Sequence, residues 1–138
     1  MPKGSPMKIK TSELSGVALD WAVSQVDEVK TIMLAPKNDE PKKPFALFGS
    51  LAIPVGGDSE NSYSPSTCWH CGGPLIERFH IDFTFERVGV VWAELCGDDG
   101  SYCSPFAGVY GSTHLIAACR AIVLANLGDE VDVPEGLV

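Results

Sequence analysis

The sequence predicts an α+β fold, with a small, mainly antiparallel sheet and two principal helices in a single domain. Three observations carry that reading. Apolar residues recur at helical spacing near the start (Leu14, Ala18, Trp21, Ala22) and again near the end (Leu115, Cys119, Ile122, Val123). Between them, Ile81, Phe83 and Phe85 alternate with Asp82, Thr84 and Glu86, the period-two pattern of a half-buried strand. The chain is 138 residues long, which suits one core with a radius of gyration of about 14 Å and excludes a second full domain.

The elements follow in order. Residues 1–6 read as an extension or an alternative start ahead of Met7, so the domain spans 7–138. Lys8 to Lys10 is a short alternating β segment, and Thr11 or Ser12 then offers a side-chain oxygen to cap a helix from about Ser12 to about Val26. Val29 to Leu34 reads as a strand, ended by APKNDEPKKP, whose prolines and mixed charges sustain neither regular structure. Phe45 to Ile53 is a second apolar run, so the two pair as a hairpin with a long connection. The segment YSPSTCWHCGGPLIERF, from Tyr63, reads as an irregular loop. Ile81 to Glu86 and Val88 to Leu95 form the strand pair at the centre of the sheet. CGDDGSYC is a turn and PFAGVYGST a second loop. A helix then starts at Thr113 and ends at Gly128, which suits a left-handed cap, and Val131 to Val133 is a closing strand.

Charge and cysteine usage narrow the function classes. Lys and Arg number 10 against 18 Asp and Glu, for a net charge of −8. That balance argues against unassisted binding to long nucleic acid, which draws on clustered basic contacts to phosphates. A small anionic ligand stays open, because a few local donors outweigh a global charge. No run approaches the roughly 18 apolar residues of a membrane span, and no apolar signal segment opens the chain. Cytoplasmic residence follows, with reduced thiols, so Cys68, Cys71, Cys96, Cys103 and Cys119 are not expected to form a disulfide framework.

Three chemistries deserve weighing. Cys68-Trp69-His70-Cys71-Gly72-Gly73 has the gap and trailing glycines of half a zinc site; the other half would need Cys96 and Cys103, or His70 or His80. Their spacing is wider than usual, so reduced thiols are the simpler reading and no metal is expected. For catalysis, His70, His80 and His114 offer bases and Asp20, Glu77 and Glu86 offer carboxylates, yet no nucleophile elbow or phosphate loop organises them. No catalytic residue and no cofactor are expected.

The third chemistry is a binding pocket. Stacking needs flat aromatic faces, phosphate binding needs open backbone N–H groups, and hydroxyls fit sugar edges. Tyr63, Ser64, Ser66, Thr67, Trp69, Gly72 and Gly73 offer all three within one segment. Ser112 and Thr113 open a helix whose N-terminus attracts anions, and Arg78 and Arg120 offer bidentate phosphate contacts. The plainer alternative makes Trp69 a core residue, Gly72-Gly73 a turn, Thr113 a cap and Arg120 the partner of a carboxylate. Trp21 reads as core, and Asp20 as facing a ribose or capping a loop.

Several segments together carry a resemblance: KTSELSG-x-ALDWAV at residues 10 to 23, YSPST-x-W with GGP-x-IE from Tyr63 to Glu77, and ST-x-LIAA-x-R leading to LGDEVDVP. In this order they resemble the NinX-like family of small proteins encoded by tailed bacteriophages and prophages. Residues 27–61 lie outside the motifs and read as a variable hairpin insertion. The resemblance implies a phage accessory protein working in the host cytoplasm. Both candidate loops lie in the resembling segments, which favours a binding protein that sequesters a small nucleotide-type defence signal, an ADP-ribose derivative or a cyclic nucleotide, without cleaving it. The alternatives are an acidic inhibitor docking on a host factor and a small nucleotide hydrolase. Apolar strands left uncovered on the sheet's far face predict a homo-oligomer.

Overall fold

The computed structural model describes residues 7–35, 41–57, 61–97, 108–134 and 136–137. The six leading residues, the greater part of the CGDDGSYC turn and the start of PFAGVYGST lie outside them. Among the described residues the fold is mixed α+β, with three helices and three small antiparallel sheets in place of the single sheet expected.

The chain ends meet first. Strand β1 (Met7–Lys10) pairs antiparallel with the closing strand β8 (Glu130–Val133), Met7 opposite Val133 and Lys10 opposite Glu130. Thr11 fastens the join: its N–H donates to the Asp129 carbonyl at 2.8 Å and its hydroxyl to the Gly128 carbonyl at 2.6 Å. That engagement takes Thr11 away from the capping role predicted for it. The first helix consequently begins later than Ser12: a 3-10 turn spans Thr11–Glu13, the backbone is extended at Leu14 and Ser15, and α1 runs Gly16–Val26. Arg120 holds this break open by donating from Nε to the Leu14 carbonyl at 2.8 Å.

Strands β2 (Thr31–Leu34), β3 (Lys43–Phe48) and β4 (Leu51–Pro54) form an antiparallel meander. The predicted hairpin is present, with Thr31 opposite Ala46, but the apolar run from Phe45 to Ile53 is two strands. Gly49, at φ +64°, supplies the left-handed turn between them. The third sheet comprises β5 (Ile81–Arg87), β6 (Val90–Leu95) and β7 (Val109–Gly111). The β5–β6 pair matches the alternation in the sequence, with Ile81 opposite Leu95 and a bulge at Phe85/Arg87. GVYGST is thus partly a strand, Trp92 facing Tyr110, not a loop throughout.

Helix α3 (His114–Leu127) packs on β5–β7 and α1 packs on α3. Leu19, Val23, Val91, Ile122, Val123 and Val133 meet in the main core. Ala46, Val55 and Tyr63 form a smaller one under the meander, and half-buried Trp21 touches both. Thr113 caps α3 as predicted, its hydroxyl accepting from the Ile116 N–H at 3.1 Å, and Gly128 ends the helix at φ +91°.

The largest departure is α2 (Trp69–Arg78), a helix where an irregular loop was expected. Gly72, Gly73 and Pro74 are poor helix formers, so propensity pointed elsewhere. Packing decides instead. A Cβ on Gly72 would lie 2.4 Å from the Pro65 carbonyl oxygen and 2.7 Å from Leu115 Cδ2, so glycine alone lets α2 settle against α3.

Candidate functional site

The segment before α2 is held from below. Asp20, on α1, is 1% exposed and accepts the Ser66 N–H at 2.8 Å, so it caps the loop. Burial pushes the Asp20 carboxyl up to about 6, with the Ser66 contacts opposing. The Ser64 carbonyl accepts from the N–H groups of Thr67 (3.1 Å) and Cys68 (2.8 Å), and the Ser62 and Ser64 hydroxyls lie 2.9 Å apart. This tight turn delivers Thr67 and Trp69 to the start of α3.

There the two segments bound one open cleft of about 390 Å³, lined by Ser66, Thr67, Trp69, Thr113, His114, Leu115 and Ile116. Trp69 is 59% exposed, which excludes the core role weighed for it. His114 and Leu115 are the first two helical residues, and the N–H groups at such positions have no acceptor within their helix. The His114 ring stacks on Phe85 at 6.3 Å and 3° and meets Phe83 edge-on at 5.1 Å. An aromatic wall and a helix N-terminus therefore share one opening.

Four of the predicted site residues line this cleft: Ser66, Thr67, Trp69 and Thr113. Exposed Ser112 flanks it. The others have different engagements. Tyr63 is buried and its hydroxyl donates to Asp27 Oδ2 at 3.0 Å; burial and the Asp27 charge push its ionisation well up. Ser64 is buried beneath the turn. Gly72 and Gly73 lie within α2, and the Gly72 N–H is spent on the Cys68 carbonyl at 2.8 Å, so the pair is no phosphate-cradling turn. Arg78, at the far end of α2, forms an ion pair with Asp27 and lies over the Phe79 ring at 5.0 Å. Arg120 donates to two carbonyls, Leu14 at 2.8 Å and Tyr110 at 3.0 Å, not to a carboxylate.

Sequence reasoning named His114 only as a possible base and missed it as a wall of the cleft; the alternating Phe83 and Phe85 were the available signal. Asp27 was missed altogether as the acid joining Tyr63 to Arg78. Among the described residues no three His, Cys, Asp or Glu side chains gather as a metal site, and Cys103 lies outside those residues. No described helix is long and apolar enough to cross a membrane.

Fold and cleft together define a small α+β protein with an aromatic-walled opening where two helices begin. The chain belongs to the bacteriophage P22 NinX family, whose model matches residues 10–126, from the last residue of β1 almost to the end of α3. It is a phage accessory protein. No curated protein matches the chain.

Proposed function

We propose that the cleft captures a small nucleotide-type anion and that the protein sequesters such a host defence signal, an ADP-ribose derivative or a cyclic nucleotide, in the host cytoplasm. The observation that carries the reading is the exposed Trp69 opposite the first N–H groups of α3 across one opening. A base stacked on Trp69 gains about 1–3 kcal/mol. Its phosphate meets the His114 and Leu115 N–H groups at the positive end of the helix dipole, and the Thr67 hydroxyl reaches toward the sugar. Capture without cleavage fits the lining, in which, among the described residues, His114 is the one titratable side chain and is stacked against Phe85. The exposed apolar side chains of β2 add a second copy of the chain to this reading.

A melting-temperature screen against adenine and guanine signal nucleotides tests it. A ligand at a hundred times its Kd adds about 2.7 kcal/mol, which for a chain of this size is a rise of roughly 5–10 °C. Trp69→Ala, at an exposed position, is expected to remove that rise while leaving the unliganded melt in place. Flat curves for every nucleotide would end the proposal, and product formation lost in His114→Ala would replace it with a hydrolase.

A further inference from the structure

The sequence Cys68-Trp69-His70-Cys71 acquires a new meaning once α2 is seen. Cys68 occupies the N-cap of the helix and Cys71 lies one turn on, its N–H donating to the Cys68 carbonyl at 3.2 Å. The two side chains contact each other, and the Cys71 thiol also donates to the Ser62 carbonyl at 3.5 Å. Both residues are half-buried, so an incoming group has access from the mouth of the helix. Burial, with a smaller contribution from the charge of Asp20, pushes up both the Cys71 thiol and that of buried Cys119 on α3. Two cysteines at this spacing on a helix start are an arrangement that suits thiol–disulfide exchange.

We propose that Cys68 and Cys71 form a dithiol–disulfide exchange site whose substrate is a disulfide. The Cys68 thiolate attacks one sulfur of the substrate disulfide, forming a mixed disulfide and expelling the first thiolate. Cys71 then gives its proton to water or to the expelled thiolate, and its sulfur attacks Cys68 Sγ, breaking the mixed disulfide and expelling the second thiolate. The chain's two thiols are oxidised by two electrons, the substrate is reduced to two thiols, and the protons leave with them. Burial pushes the Cys71 thiol up, opposed by the Ser64 N–H, so Cys71 serves as the resolving thiol and Cys68 as the attacking one. Such a pair is compatible with a reducing compartment, where disulfides are transient and catalytic. It stands apart from nucleotide capture and survives the failure of that reading.

The test uses the full reduced chain and oxidised glutathione, followed by alkylation of remaining thiols and peptide mass mapping. The expected product is one disulfide joining Cys68 to Cys71, with Cys96, Cys103 and Cys119 alkylated. Stable glutathione adducts without that bond, or a bond from either cysteine to another partner, would overturn the proposal. Cys71→Ser is expected to stop at a stable glutathione adduct on Cys68, and a Cys71→Ser chain that carries no adduct there would overturn the proposal.

Discussion

Asp20 is buried, with its carboxyl hydrogen-bonded to the Ser66 backbone N–H, and its protonation records the cost of that burial. The folded carboxyl titrates at about 6 against an ordinary 3.8. The folded state therefore keeps a proton that the unfolded chain releases, so this contribution to stability is full below about pH 4 and is lost as pH rises through about 6. The span corresponds to about 3 kcal/mol at most. Asp20→Asn keeps an acceptor for the Ser66 N–H and does not ionise. In urea unfolding it is expected to gain on the parent between pH 4 and pH 7, and a difference flat across that range would contradict the assignment. Nothing in the sequence around Asp20 distinguishes it from an exposed helix acid, because the burial comes from Ser66, forty-six residues away.

At the scale of elements, α2 and β7 show how contact overrides local preference. Residues Gly72-Gly73-Pro74 look like a turn, yet Gly72 is where α2 touches the Pro65 carbonyl and Leu115. Gly111 does the same for β7: a Cβ there would stand 2.4 Å from the Ala117 nitrogen. Gly72→Ala has the better helix former and is nonetheless expected to lower stability by about 1–3 kcal/mol through overpacking, read as a fall in thermal midpoint. A neutral or raised midpoint would show that α2 can shift without loss. The other end of α2 is tied by Arg78 to Asp27, and Asp27 to Tyr63, so two predicted ligand residues serve to fix the helix. The cleft itself was half legible: Thr67, Trp69 and Thr113 were named from their chemistry, whereas His114 needed its contact with Phe85 to be seen as a wall.

For the whole molecule, the division into three sheets leaves the meander with an outer face. The register places Ile32, Leu34, Phe45 and Leu47 on one side of it, opposite buried Ala46, with Ile32 and Leu34 exposed. A second copy covering this face is expected to give a sedimentation-equilibrium mass above the 14.7 kDa of one chain. Replacing both Ile32 and Leu34 with Asp is expected to return it to one chain, while a monomeric parent at high concentration would remove the oligomer from the reading. The sequence by itself determined the α+β class, α3 with its cap and end, the β5–β6 pair and the family, because periodicity, capping and motif order are properties of neighbouring residues. The tertiary structure alone decided α2, β7, the late start of α1 and the opening between Trp69 and His114. Each of those depends on a contact between distant segments, Gly72 with Leu115, Gly111 with Ala117, Leu14 with Arg120, and no local pattern encodes which side chains will meet.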